Sequence, residues 1–379
     1  MIRRGTLADL PELQELEQIC FESDRLSPRS FRRFVSHAQS ALLVFDDAGH
    51  VAGYAVVLFH ANTSLSRLYS LAVHPEARRQ GIARQLMEEC FALARERGTT
   101  RMRLEVHRTA YHVQAFYERL GFTAFDLAPE YYEDRDDAVR MEKPLVENLS
   151  GQSSRLPFYE QHYDFSCGPA CLIMAFARHR PGIHPDRHLE IALWREATTV
   201  FMTSGHGGCS ALGLALAAWR RGYMVEAYNG RGAAAFVDTV RDPAKKETIE
   251  IVEEGFQREV EQTGIAMRDA PIAASELKGI LRNKGVPIVL ISSYRLTGSK
   301  APHWIAVAAI DDNFVYINDP FVDWEEEKTA TDCIGIPLSH KEFERMSRFG
   351  KGKHAAAVII YPPRQDAGHD PLRERERRT

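Results

Sequence analysis

A chain of 379 residues is long enough for two or three domains, each with a core of its own. Hydrophobic residues at 44% and charged residues at 26% exclude wholesale disorder, and 48 Lys and Arg against 52 Asp and Glu leave a net charge of -4, no footing for a polyanion. Nucleic acid is therefore not an expected partner. Six cysteines exclude a disulfide scaffold and point to a reducing cytoplasm.

The opening MIRRGTLADLPELQ lacks the apolar segment of a signal peptide, and apolar runs such as Val286–Ile291 and Trp304–Ile310 are strand-sized. No membrane association is expected. In chain order, Asp9–Cys20 and Pro28–His37 carry helical spacing, and Ala41–Phe45 and Val51–Phe59 read as strands about the turn Asp46–Gly49. A strand at Arg67–Val73 leads through a loop to a helix over Gly81–Arg97, with Leu86, Cys90, Leu93 and Ala94 as its apolar stripe. A strand at Arg101–Val106, a helix at Ala110–Leu120, and strands at Phe122–Phe125 and Val139–Lys143 follow. The pattern is α+β, helices packed on a mostly antiparallel sheet. A polar run, Glu147–Ser154, marks a boundary, so a first domain over 1–147, a linker over 148–156, a second domain over 157–362 and a polar tail over 363–379 are expected. In the second domain the helices come first, near Cys167, His188–Arg195, Cys209–Arg220, Glu247–Glu261 and Ser275–Asn283. The strands come last, at Val286–Ser292, His303–Ile310, Phe314–Ile317 and Ala355–Tyr361.

At the junction of strand and helix in the first domain stands Arg78-Arg79-Gln80-Gly81-Ile82-Ala83, of the form R-x-x-G-x-A. A glycine there lets the chain turn tightly so that several backbone N–H groups point at one place, and the helix start adds partial positive charge. Arg78, Arg79 and Arg84 supply formal charge, and a pyrophosphate is the natural guest. Further on come Leu104–His107 (LEVH), Ala115–Phe122 (AFYERLGF), Glu130–Asp134 (EYYED) and Asp137–Met141 (DAVRM). In this order and spacing the first domain resembles the GNAT superfamily of N-acetyltransferases, in particular the branch that acetylates the N-terminal alanine of a ribosomal protein. The resemblance implies acetyl-CoA as cofactor and a peptide or protein amine as acceptor. It places Gln80, Gly81, Ile82, Ala83 and Arg84 around the pyrophosphate, and Leu71, Ala72 and Val73 along the pantetheine arm on a splayed strand pair. It makes Glu105 the base for the acceptor ammonium and Tyr117 the acid for the departing thiolate, a division of labour the chemistry requires. The family's asparagine at the start of the following helix is Ala110 here.

In the second domain, Tyr159–Cys171 (YEQHYDFSCGPAC) sets Cys167 before Gly-Pro at a helix start, where the dipole favours thiolate. Gln161 is placed to donate to an oxyanion through its side-chain amide. A hairpin about Asp311–Asn313 would bring His303 opposite Asp319, an arrangement that fixes the imidazole tautomer for the thiol. The order Gln161, Cys167, His303, Asp319 resembles papain-like cysteine peptidases, and Q-x5-CGPAC with the later PHW and NDP resembles those that cut bacteriocin leaders after a double glycine. The residues leave three readings of this domain open: hydrolysis, thiol-dependent acyl transfer, and peptide binding without chemistry. Cys171, one turn on, reads as core, and Gly205, Gly207 and Gly208 read as a loop before a helix.

Overall fold

The computed structural model describes residues 1–60, 63–146, 156–198, 207–230, 242–297, 301–325, 328–349 and 353–364. The chain divides into two compact units, Met1–Gly151 and Gln152–Thr379. The boundary run at 147–155, Gly205, and residues 365–379 of the expected tail lie outside the described residues.

The first unit runs β1 (Ile2–Arg4), α1 (Leu10–Cys20), α2 (Pro28–Ser36), β2 (Ser40–Asp47), β3 (His50–Phe59), β4 (Leu65–Val73), α3 (Ile82–Glu96), β5 (Arg101–His107), α4 (Tyr111–Arg119), β6 (Thr123–Ala128) and β7 (Ala138–Pro144). Its sheet has seven strands in the order β1-β2-β3-β4-β5-β7-β6. Every pair is antiparallel except β4 with β5. Both faces of β3 are covered: Ala55, Val57 and Phe59 enter the core with Leu86, Met87 and Cys90 of α3, while Tyr54, Val56 and Leu58 meet Leu13 and Leu16 of α1 and Phe31 of α2. That two-sided burial explains why β3 reads as a continuous apolar run.

Strands β4 and β5 pair only over Leu65–Arg67 with Arg101–Arg103, and then part. Beyond that point β4 keeps β3 alone and β5 keeps β7 alone, with Tyr69 skipped in the β3–β4 register. A bulge adds twist and bends a strand away from its neighbour. The wedge opens toward the loop that precedes α3.

The second unit runs α5 (Cys167–His179), α6 (Arg187–Ala197), α7 (Ala211–Arg220), β8 (Tyr223–Gly230), α8 (Pro243–Glu261), β9 (Ala266–Arg268), α9 (Ala274–Arg282), β10 (Val286–Ser292), α10 (Tyr294–Thr297), β11 (Pro302–Ile310), β12 (Phe314–Asn318), α11 (Ala330–Cys333), β13 (Ile336–Ser339), α12 (His340–Met346) and β14 (Ala355–Pro363). Its sheet order is β13-β12-β11-β10-β14-β8-β9. Along β10, Ile288 and Leu290 face α5 and α7, and Val289 and Ile291 face α9 and α12. Helix α7 packs closely on α6: a Cβ on Gly213 would lie 2.7 Å from backbone atoms of Ala197.

Two expectations are corrected here. The sheet does not wait for the helices, because β8 forms between α7 and α8. Tyr223, Val225 and Ala227 are buried while Met224 is 47% exposed and Glu226 is charged, an alternation that marks a strand and that the sequence reading passed over between the two helical segments. The hairpin register also differs: Ala306 pairs with Asn318 and Ile310 with Val315, with a shift between Val307 and Ala309. The turn closed by the Asp311 N–H on the Phe314 carbonyl (2.9 Å) is wider than a tip at Asp311 allows. With Ala306 opposite Asn318, Asp319 continues opposite Ile305 and stops two residues short of the position opposite His303. It reaches the histidine from beyond the end of β12.

Helix α8 buries Glu253 beside Ser210, whose hydroxyl donates to it at 2.9 Å. Burial pushes the Glu253 carboxyl up to about 7. A carboxyl raised in the fold contributes its full share below its unfolded value, and that share is lost as pH rises through about 7. Glu253→Gln is therefore expected to leave the full chain nearly unchanged at pH 4 and to stabilise it by about 3 kcal/mol at pH 8. Calorimetric melting of both chains at the two pH values checks this; an equal gain at both would refute it.

Candidate active sites

In the first unit the loop before α3 is built by two residues in the left-handed region, Arg79 at φ 64° and Gly81 at φ 82°. Gly81 is the N-cap of α3 and has no side chain to cap it, so the helix begins at Ile82, one residue later than expected. The helical ladder starts with Gln85 N–H on the Gly81 carbonyl at 3.0 Å, which leaves the first-turn N–H groups without intrahelical acceptors. Gln80, Gly81 and Arg84 are exposed, Ala83 is half-buried, and only Ile82 turns into the core. This open, uncapped helix start at the mouth of the β4–β5 wedge suits a pyrophosphate, with Leu71, Ala72 and Val73 in the part of β4 that has left β5. The three arginines do not converge on it. Arg78 turns back to the Val73 carbonyl at 3.2 Å and Arg84 pairs with Glu88 at 3.0 Å, while Arg79 is exposed. Ala110 is the N-cap of α4 and makes no side-chain cap.

Glu105 lies on β5 beyond the last β4 pair, its side chain 7% exposed and bonded to the buried Arg67 guanidinium at 3.4 Å. Tyr117, from α4, packs edge-on against Phe116 and Phe122. Burial drives its phenol well above the usual tyrosine range, so it stays protonated at neutral pH. No hydrogen bond ties that phenol to another described residue, so the donor is uncommitted in an otherwise apolar setting. Tyr132 is also held protonated, by burial and then by the neighbouring Glu105 carboxylate, with Tyr117 acting on it as well. The carboxylate and both phenols thus share one end of the sheet. His107 stacks on Tyr132 with centroids 4.8 Å apart, and Asp24 and Glu133 join the α1–α2 loop to the loop after β6, each backbone N–H donating to the other's carboxylate at 3.3 and 3.2 Å.

In the second unit Cys167 opens α5 and is buried, at 8% exposure. The N-cap, Ser166, makes no side-chain cap, and Pro169 has no N–H, so the N–H groups of Cys167 and Gly168 head the helix dipole. His303 on β11 meets Asp319 through Nε2 and Oδ1 at 2.7 Å, and the Cys167 side chain lies near enough to act on the charge of its ring. Since Nε2 is engaged by the carboxylate, Nδ1 is the nitrogen that serves the thiol. Burial opposes charge on the imidazole, but the Asp319 carboxylate and the Cys167 sulfur overturn this and push it up to about 10. Gln161 is tied to the Asp319 segment by its own N–H on the Pro320 carbonyl at 2.9 Å. Its Nε2 donates to the Tyr163 carbonyl at 2.9 Å, and its buried Oε1 has no partner among the described residues. An amide nitrogen has a second hydrogen, and that one remains for an oxyanion. Cys171 is fully buried against the Trp304 carbonyl at 3.4 Å.

Two residues of this site escaped the sequence reading. Glu190 of α6, fully buried, accepts from Tyr159 Oη (3.0 Å), His162 N (2.9 Å), His162 Nδ1 (2.9 Å) and Ser166 Oγ (2.5 Å). It latches the loop that carries Gln161 and leads into Cys167. Lys328 is 8% exposed and donates to Asp319 Oδ2 at 2.7 Å and to the Phe321 carbonyl at 2.8 Å. Burial alone would raise the Asp319 carboxyl; Lys328 and His303 reverse that and hold it well below the usual range. A buried, bonded lysine in a loop of acidic residues has no signal in composition or spacing.

The first unit thus has a GNAT fold and the second is a distinct α+β domain with a Cys-His-Asp constellation. The chain belongs to the Peptidase_C39 like family, whose profile matches residues 156–361, and its first domain to the Acetyltransferase (GNAT) family, matched over residues 10–122. The protein is accordingly an N-acetyltransferase with a peptidase-like second domain. It is 30% identical over 142 residues to the ribosomal protein bS18 alanine N-acetyltransferase of Escherichia coli strain K12, a match covering 36% of this chain and 92% of that one. The N-terminal acetyltransferase complex ARD1 subunit homolog of Dictyostelium discoideum is 28% identical over 163 residues, covering 41% of this chain and 79% of that one. Among solved structures, the ribosomal-protein-S18-alanine N-acetyltransferase from Escherichia coli matches at 28% identity and a TM-score of 0.36, over 40% of this chain and 98% of that chain. Among the described residues no helix is long and apolar enough to cross a membrane.

Proposed function

We propose that the first domain, spanning 1–147, transfers an acetyl group to the α-amino group of a peptide or protein N-terminus, and that the domain at 157–362 is a thiol peptidase acting on peptides in the cytoplasm. Acetyl-CoA, when bound, supplies an activated thioester carbonyl. The N–H groups at 80–84 bind its pyrophosphate and Leu71–Val73 orient its arm. Glu105 takes the acceptor proton through water, and Tyr117 donates toward the departing sulfur. In the second domain His303 draws the proton from Cys167, the thiolate attacks a peptide carbonyl, and the Cys167 N–H with Gln161 Nε2 receives the oxyanion. The observation that carries the acetylation reading is the open N-terminus of α3 at the mouth of the β4–β5 wedge. The thiol reading rests on the His303–Asp319 contact beside Cys167.

The two activities suit one sequence of events, in which cleavage exposes an N-terminus and acetylation caps it. Incubation of the full chain with acetyl-CoA and a proteome-derived peptide library, read by mass spectrometry, tests this. Acetyl groups on peptide α-amines, with cleaved fragments that vanish in Cys167→Ala, are expected. Acetylation confined to small amines would overturn the acceptor, and identical peptide products from Cys167→Ala would make the second domain a binding module.

A further inference from the structure

Asp319 is fully buried, and each of its oxygens has a separate task. Oδ1 accepts from His303 Nε2 at 2.7 Å and from the Phe321 N–H at 3.0 Å, while Oδ2 accepts from Lys328 Nζ at 2.7 Å. The ammonium is anchored in turn by the Phe321 carbonyl at 2.8 Å and lies 5.6 Å from that residue's ring. Lys328 therefore cannot leave without breaking the loop that follows β12.

We propose that Lys328 is a positioning residue of the thiol site, whose ammonium balances the buried Asp319 carboxylate so that His303 can both release and regain a proton during acyl chemistry. The inference rests on the thiol reading above and deepens it. With a neutral thiol and a neutral imidazole, Asp319 and Lys328 cancel. With a thiolate and an imidazolium, these four groups again sum to zero. A carboxylate alone in the same place would be balanced only while the imidazole stays charged, and would hold the proton that the leaving amine has to receive.

The other titratable groups facing the site do not supply this charge. Burial keeps the thiols of Cys171 and Cys209, beside Cys167, protonated, and it does the same to Cys333, near Lys328 and Asp319. Asp332 also faces Lys328, but its carboxylate is bonded to the Thr329 N–H at 3.0 Å at the start of α11. Glu160 acts on Cys333 and bonds the Trp324 indole at 3.4 Å.

The test follows His303 by NMR of the full chain carrying 13C-labelled histidine, in a Cys167→Ala background that removes the thiol's contribution. Lys328→Gln is expected to raise the pH at which His303 loses its proton by about one unit or more, or to keep it protonated up to the pH at which the fold fails. Lys328→Arg is expected to titrate within a few tenths of a unit of the lysine chain. Equal midpoints for Lys328 and Lys328→Gln would overturn the proposal. Should Lys328→Gln fail to fold, Lys328→Met combined with Asp319→Asn, in which both charges leave together, is expected to fold. Its failure would overturn the charge balance. Absence of peptide cleavage by the native chain would remove the peptidase reading and leave this titration standing.

Discussion

Tyr117→Phe is expected to lower acetyl turnover by about a hundredfold or more while leaving the dissociation constant for acetyl-CoA within about twofold. The substitution removes one oxygen and nothing else that the fold uses. The ring packs edge-on with Phe116 and Phe122, and Phe keeps both contacts. The phenol makes no hydrogen bond to another described residue, so no buried partner is orphaned. Because burial drives its pKa up, the group is present as a donor across the neutral range. The same shift makes full transfer to a thiolate less favourable, so the phenol acts chiefly as a hydrogen-bond donor to charge that develops as the carbon–sulfur bond breaks. That interaction exists only in the transition state and should appear in kcat, with KM little changed. Calorimetric titration with acetyl-CoA and steady-state kinetics on the same preparations separate the two quantities. Equal losses in affinity and turnover would assign Tyr117 to packing.

What was legible in the sequence follows the range of the interactions. The α3 junction was readable because its requirement is local: a left-handed residue at Gly81, then an apolar stripe. The mostly antiparallel character of the first sheet was readable from the alternating helix and strand signals, whereas its seven-strand order and the edge strand Ile2–Arg4, three residues long, were not. Cys167, His303 and Asp319 were each identified, and the last pair does meet, but for a different reason than the one given. A hairpin with its tip at Asp311 sets Asp319 opposite His303; the true turn and the bulge beyond it leave Asp319 two residues short, opposite Ile305, and its side chain reaches across the diagonal to His303. Bulges depend on how a strand twists against its neighbours, which no spacing rule records. Arg67, Glu190 and Lys328 were missed for a related reason. Each is a charged residue buried by tertiary contacts, and charged residues are presumed to face water. Buried charge requires a partner, and those partners (Glu105, the loop before Cys167, Asp319) are distant in the chain.

Asp319→Asn is expected to lower the rate of the Cys167 chemistry by about ten-thousandfold and to destabilise the chain as well. The rate falls because of how Lys328 constrains the new amide. An ammonium has donors only, so an amide nitrogen set against it would leave two donors facing each other in a dry site. Turning the amide to give its oxygen to Lys328 solves that and points the amide N–H2 at His303 Nε2, which must then accept. The imidazole proton moves to Nδ1, the nitrogen facing Cys167, and the base is lost. The Phe321 N–H, which donates to Oδ1 at 3.0 Å in the native chain, also meets a donor. Neither orientation satisfies every group, and the ammonium has lost its counter-charge, so a stability loss of about 3 kcal/mol or more is expected. Adding Lys328→Met should restore much of the stability, because the unpaired charge is gone, and part of the rate, because the amide oxygen is then free to accept from His303 Nε2 and return the tautomer. Iodoacetamide alkylation of Cys167 at pH 7 and melting of the single and double variants measure the two effects on the same samples. Recovery of reactivity together with stability assigns the loss in Asp319→Asn to the amide orientation that Lys328 imposes; stability regained with no gain in reactivity would overturn that orientation argument.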